Sequence, residues 1–260
     1  MTDRRGAGNP VWMAYEYIAM ILGLGSLAVL CLLWLPCALL FHAVLPGRLS
    51  QPFGRWMISA AFRFYLQILT VFCACRFDLS EIDRLRDEGP LIVAANHPSL
   101  LDVVMIISRL PNAVCIMKAS LMDNILFGAA ARLARYIRND AALDMIIGSR
   151  HELDQGAHLV IFPEGSRTLD FPIGPCTSSV GLISNRSKVA VQTLLIEFST
   201  PYLGKAWPLF RRPELPLTCR VRLGRRFPPP TNLKSFTAEL QTYFRGELGH
   251  DQPLAPAPAA

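Results

Sequence analysis

Two short clusters of polar residues, each directly after an apolar run, are where this sequence could do chemistry. The first is Asn96-His97-Pro98-Ser99-Leu100-Leu101-Asp102, entered from Leu91 to Ala95. The apolar run reads as a short buried strand. Pro98 suits the first turn of a helix, where its missing N–H is unpaired in any case. His97 then stands at a strand-to-helix junction and Asp102 on the helix. On one continuous helix, residues five apart face different ways. The two meet only if His97 lies outside the helix and its ring folds back over the first turn. The carboxylate then accepts from one imidazole nitrogen and leaves the other to take a proton from a substrate. The second cluster is Phe162-Pro163-Glu164-Gly165-Ser166-Arg167-Thr168, after the apolar run His158 to Phe162. Arg167 is the natural phosphate ligand, because a guanidinium binds phosphate through paired N–H groups. Gly165 lets the backbone come close. Glu164 is expected to orient Arg167 or a substrate hydroxyl, since a carboxylate repels phosphate. Two strand ends carrying polar clusters suggest one site at the carboxyl edge of a sheet. The plainer alternatives are a His97 that caps the helix and an Arg167 in a surface ion pair.

The elements around these clusters alternate. Strands are expected at Leu91–Ala95, Ala113–Met117, Leu159–Phe162, Val189–Phe198 and Cys219–Leu223, with a short extended piece at Tyr136–Ile137. Helices are expected at Ser99–Ser108, Leu121–Leu133, Ala142–Asp154, Thr177–Ser184 and Asn232–Leu248. Alternation of this kind implies an α/β domain with a largely parallel sheet flanked by helices. Ahead of it the chain is apolar. The 31 residues from Tyr17 to Gly47 carry no Asp, Glu, Lys or Arg, against the roughly 20 that a bilayer span needs. Pro36 is expected to kink this segment. Trp56 to Cys75 is interrupted only by Arg63 and Gln67, four apart on one face, and reads as an amphipathic helix with a narrow polar stripe. Either the first segment spans the bilayer and the second lies on it, or both form a hairpin dipped into one leaflet. The expected organisation is 1–76 as membrane-anchoring helices, 77–250 as the α/β domain, and 251–260 as a disordered Pro/Ala-rich tail. The charged stretch Phe77 to Gly89 marks the composition break.

Composition agrees with a membrane address. The chain is 52% hydrophobic and only 18% charged, with a net charge of +6, which suits an anionic surface or substrate. No aromatic-and-basic interleaving favours nucleic acid. Arg48, Arg55, Arg63 and Arg76 follow the long apolar run and mark that side as cytoplasmic, although Arg4 and Arg5 lie at the other end. The expected location is thus the cell (inner) membrane, with the catalytic domain facing the cytoplasm. Seven scattered cysteines without a C-x-x-C pair indicate neither a disulfide framework nor a metal site. Arg211, Arg212, Arg220, Arg222, Arg225 and Arg226 form a late basic cluster. It is either a solvated face or a contact for anionic lipid heads or an acidic protein.

The two blocks resemble those of the glycerolipid (lysophosphatidic acid) acyltransferase family. That family carries N-H-x-S-x-x-D followed some sixty to seventy residues later by F-P-E-G-T-R-S. Here Ser166 and Thr168 exchange the two hydroxyl residues of the second block. The likeness runs from about Leu91 to Leu223. It implies a membrane-associated O-acyltransferase in phospholipid synthesis, with His97 as base and Asp102 as its orienting carboxylate. Backbone N–H groups at the helix start would hold the oxyanion. Glu164, Gly165 and Arg167 would lie on the acceptor. No cofactor is expected beyond acyl-CoA or acyl carrier protein as co-substrate, and the partners are membrane lipids. A further family block supplies a second phosphate-binding arginine. Here that region reads Ala134-Arg135-Tyr136-Ile137-Arg138-Asn139-Asp140, which offers Arg138 out of register, and the last block, Val189-Ala190-Val191-Gln192-Thr193, lacks its proline. These departures motivate an alternative acceptor, such as an amino-acid lipid or a specialised acyl product. Further rivals are a lipid esterase or thioesterase with Ser99 as nucleophile, though no G-x-S-x-G elbow is present, and a non-catalytic membrane-binding protein.

Overall fold

A computed structural model describes residues 9–44, 46–208 and 210–249. Arg4, Arg5, His250 and the expected tail lie outside them, as do the side chains of His42 and Arg48. The chain runs α1 (Pro10–Val44), α2 (Gly47–Phe72), β1 (Cys75–Asp78), a 3-10 turn (Ile82–Leu85), β2 (Ile92–Ala95), α3 (Leu101–Arg109), β3 (Ala113–Met117), α4 (Ala119–Met122), α5 (Ile125–Leu133) and β4 (Ile137–Arg138). It continues through α6 (Ala142–Asp154), β5 (His158–Ile161), α7 (Ser179–Ser187), β6 (Val191–Phe198), β7 (Leu217–Phe227) and α8 (Leu233–Gly249).

Among the described residues the strands make one seven-stranded sheet in the order β1-β7-β6-β2-β5-β3-β4. Every pair is parallel except β6 with β7. Central strands β2 and β5 are buried at every position, as their unbroken apolar sequence requires when helices cover both faces. Alternate residues serve opposite layers. Val93 and Ala95 pack toward α2 and α3 with Leu69, Met105 and Ile106. Ile92 and Ala94 pack toward α7 and α8 with Ile183, Phe236, Leu240 and Phe244. Because β2, β3, β5 and β6 are parallel, the segments that follow them leave the sheet at a common carboxyl edge.

The structure differs from the sequence expectation in several places. β1 crosses the composition break and pairs with β7. The helix expected over Leu121–Leu133 is two helices, parted at Asp123 and Asn124. Helix α1 runs on through Pro36. It is the one helix among the described residues long and apolar enough to cross a membrane. It packs on α2 and α5, so the two N-terminal helices form a hairpin laid against the domain.

Helix α2 is bolted down by the arginines that sequence reading assigned to membrane orientation. Arg55 is buried; it donates to the Ala134 carbonyl at 3.1 Å and to Asn112 Oδ1 at 2.9 Å, and pairs with buried Glu152. Arg63 donates to the Ser108 carbonyl at the end of α3, where exposed carbonyls and the helix dipole favour a cation. A Cβ on Gly54 would stand 3.1 Å from the Leu133 carbonyl carbon, so only glycine permits this close crossing. At the other end of the domain, buried Glu16 on α1 pairs with Arg212 and accepts the Leu215 N–H.

Candidate active site

His97 leaves β2 before α3 begins, and its ring does fold back. Nδ1 lies 2.9 Å from Asp102 Oδ2. The same oxygen accepts the Ser99 N–H at 2.8 Å, an acceptor role that only a carboxylate or carbonyl oxygen can fill. Nδ1 is therefore the protonated nitrogen, and Nε2 carries the free lone pair. The ring stacks on Phe162 at the end of β5, with centroids 3.8 Å apart and planes 16° from parallel. Carboxylate and aromatic face together fix the imidazole, and 14% of its side chain stays exposed while Asp102 is wholly buried. Burial pushes the Asp102 carboxyl up to about 6, against the opposing pull of the His97 hydrogen bond. Its second oxygen, Oδ1, is buried without a partner among the described residues.

The second block closes on the first. Glu164 Oε1 accepts the His97 N–H at 3.2 Å and the Thr168 hydroxyl at 2.7 Å, while Oε2 accepts the Gly174 N–H at 2.8 Å. The Thr168 N–H donates to the His97 carbonyl at 2.7 Å. Glu164 thus orients neither Arg167 nor a free hydroxyl; it ties the two blocks together. Gly165 adopts φ +66°, a left-handed conformation that a side chain would strain. Arg167 points to the loop after β6, where Nη1 donates to the carbonyls of Leu203 and Gly204, both at 2.9 Å. The Leu203 carbonyl also accepts the Leu100 N–H at the start of α3, so Arg167 and His97 flank one short segment.

Arg138 is not brought to this site. It stands at the end of β4, three strands from β2, or roughly 14 Å at the usual strand spacing. It is held by Asp123 at 2.6 Å and Asp140 at 2.7 Å. A cavity of 820 Å³ lies at this edge against Arg132, Arg138, Asp140 and Asp144, and His97 does not line it. The expected oxyanion donors are also occupied. Ser99 N–H goes to Asp102, Leu100 N–H to Leu203, and Leu101 N–H to the Ser99 hydroxyl. That use of Ser99, 1% exposed, takes up the hydroxyl that the hydrolase reading named as nucleophile.

The late basic cluster is mostly paired within the fold. Arg212 binds Glu16, Arg220 binds Asp78 and Glu81, Arg222 binds Glu197, Arg225 binds Glu239 and Arg226 binds Glu88. Sequence reasoning passed over four supports of the site. Asn96 clamps β6 through Ile196 in both directions, at 2.9 and 2.8 Å; Phe162 and Thr168 act as above. These three lay inside the blocks, where their presence was the signal. The fourth, the loop after β6, carried no local signal at all. Lys118, at the end of β3 beside β5, is a further exposed cation at this edge.

Residues 76–197 match the family model described as Acyltransferase. A Caenorhabditis elegans protein, provisionally named a 1-acyl-sn-glycerol-3-phosphate acyltransferase, is 29% identical over 162 residues, 59% of this chain and 62% of that one. The 1-acyl-sn-glycerol-3-phosphate acyltransferase of Helicobacter pylori is 30% identical over 105 residues, 36% of this chain and 44% of that one. The matched segments thus span less than two thirds of either relative. The crystal structure of the 1-acyl-sn-glycerophosphate (LPA) acyltransferase PlsC from Thermotoga maritima shares the fold, with a TM-score of 0.66 and 15% identity over 90% of this chain and 96% of that one. Residues 76–197, just under half of the chain, thus resemble the acyltransferase family, and the names of both relatives agree with that likeness.

Proposed function

We propose that the protein transfers a fatty acyl group from a thioester, acyl-CoA or acyl carrier protein, to the free hydroxyl of a lysophosphatidate-like lysolipid. The observation that carries this reading is the His97–Asp102 pair, locked by Glu164 and Thr168 to the turn that presents Arg167. Nε2 of His97 takes the hydroxyl proton as the alcohol oxygen attacks the thioester carbonyl. Asp102 stabilises the imidazolium that forms. The tetrahedral intermediate collapses with cleavage of the C–S bond, and the imidazolium proton goes to the departing thiolate. The products are an ester and a thiol, with no covalent acyl-enzyme. The relatives named for 1-acyl-sn-glycerol-3-phosphate support the choice of acceptor.

The same reading puts α1 and α2 in one leaflet, on the cytoplasmic side. At 35 residues, α1 is about 52 Å long, well beyond a hydrocarbon core of ~30 Å. It is pinned to the domain near both ends, by Glu16 at Arg212 and by Ala38 on Ala129 and Leu133. Upright insertion would drag the domain's polar surface into the bilayer. Lying flat, α1 and α2 offer exposed Ile21, Leu33, Leu40, Trp56, Phe64 and Val71 to lipid. Burial of such side chains is worth ~1.5–3 kcal/mol each. Leu33→Asp with Val71→Asp should release the protein from vesicles in a flotation assay.

The deciding experiment supplies purified protein with an acyl thioester and lysophosphatidate, and follows thiol release and diacyl product. The expected result is diacyl product that falls ~10²–10⁴-fold in His97→Ala, the usual worth of a general base. Free fatty acid released without acceptor would establish a hydrolase instead.

A further inference from the structure

The strongest unassigned feature is a second cation beside Arg167. Lys205 extends from the loop after β6, and its Nζ lies 3.2 Å from the hydroxyl of Ser166. Arg167, the next residue, grips the same loop at Leu203 and Gly204, so both cations meet one short segment. Arg167 uses Nη1 alone, on the Leu203 and Gly204 carbonyls. Its Nε and Nη2, the edge that binds phosphate side-on, have no partner among the described residues. Neither Arg167 nor Lys205 has a carboxylate within ion-pair range there, whereas Arg138, Arg212, Arg220, Arg225 and Arg226 all do. Two like charges on one short segment without a counter-ion repel each other, and a dianion bound by both removes that repulsion.

We infer that Arg167 and Lys205 hold the phosphate monoester of the acceptor together, with the Ser166 hydroxyl between them, and that Lys205 sets selectivity for a monoester over a phosphodiester head. This deepens the acyl-transfer reading and rests on it. A monoester near neutral pH carries a second negative charge that a phosphodiester such as lysophosphatidylglycerol lacks, and the ammonium answers that second charge. The arrangement also accounts for the site functioning without Arg138: the second cation comes from the β6–β7 loop and not from β4.

The test compares the full-length protein with Lys205→Met and Lys205→Arg, on lysophosphatidate and on lysophosphatidylglycerol. Lys205 is exposed, so the fold should tolerate both changes. For Lys205→Met the KM for lysophosphatidate should rise about tenfold or more, the scale of a lost charge-assisted hydrogen bond. The kcat and the KM for the thioester should change less than about twofold, preference for the monoester should shrink, and Lys205→Arg should restore most of it. An unchanged acceptor KM, or a rise in the thioester KM instead, overturns the inference. So does the same loss appearing in Lys118→Met and not in Lys205→Met. Binding of lysophosphatidate to His97→Ala, with and without Lys205→Met, separates the two readings. Weakened binding without turnover in the parent enzyme would sink the acyl-transfer reading and leave this one standing. Equal binding would sink this one alone.

Discussion

The change Asp102→Asn tests the site at its most specific point. One oxygen, Oδ2, receives both the Ser99 N–H and the His97 Nδ1–H, and the other, Oδ1, has no partner among the described residues. An asparagine must turn its carbonyl toward Ser99, because its amide would meet that N–H donor to donor. The carbonyl then still accepts from Nδ1, so the tautomer that leaves Nε2 free as the base survives. What is lost is the negative charge that stabilises the imidazolium. Charge-assisted hydrogen bonds contribute ~1.5–3 kcal/mol against ~1 for neutral ones, and the lost Coulomb attraction adds to that difference. A fall in kcat/KM of about 10²-fold follows, at ~1.4 kcal/mol per factor of ten. Asp102→Leu, which frees the ring and its tautomer, should cost about as much as His97→Ala. Stability should move differently. Burial raises the folded-state value from 3.8 to about 6, so the folded protein binds the proton more tightly than the unfolded chain. Its stability then falls as pH rises from about 4 through 6, by roughly 3 kcal/mol at neutral pH. Asparagine removes that pH-dependent component, at the cost of one buried unpaired amide of ~1–3 kcal/mol. At pH 7.5 the variant should unfold near the parent's midpoint, and the portion of the acid limb of activity due to Asp102 should vanish. Thiol-release rates in mixed micelles and unfolding from pH 4 to 8 measure both. A loss as deep as His97→Ala would refute the single-oxygen geometry; a loss under about threefold would refute the charge's part in the reaction.

Two further outcomes separate scaffold from site. Arg138→Ala breaks an exposed pair of ion pairs far from His97, so the KM for the acceptor should stay within about twofold and the unfolding midpoint should barely move; a tenfold KM rise in acceptor titrations would return Arg138 to the phosphate. Arg55→Met strands Glu152, buried beneath α2, and should lower the unfolding free energy by ~3–5 kcal/mol. The double change with Glu152→Leu should recover much of it in denaturant melts, and no recovery would mean that the cost lies in the Asn112 and Ala134 contacts instead.

The half of the site readable in the sequence is the half built from near neighbours and strand ends. His97 and Asp102 are five residues apart, and the only conformation that joins them is the one adopted. The two blocks follow strands β2 and β5, which are adjacent and parallel, so an alternation that implies a parallel sheet already places them on one edge. What escaped reading depends on partners far along the chain. β1 hides in a charged stretch because its reason to exist is β7, some 140 residues later. Arg55 and Arg63 look like membrane-topology charges until Glu152 and the Ser108 carbonyl are beside them. The late basic cluster, Arg212 with the arginines of β7, looks like a docking face until Glu16, Asp78, Glu81, Glu88 and Glu197 are folded against it. For each of these arginines the cation was visible and its acid or carbonyl partner was not. The same asymmetry gives Lys205 its meaning. The sequence holds many cations, and folding pairs Arg55, Arg138 and most of the late basic cluster with acids. A cation on the loop that holds Arg167, left without an acid by the fold, is the kind for which a ligand, rather than the protein, supplies the anion.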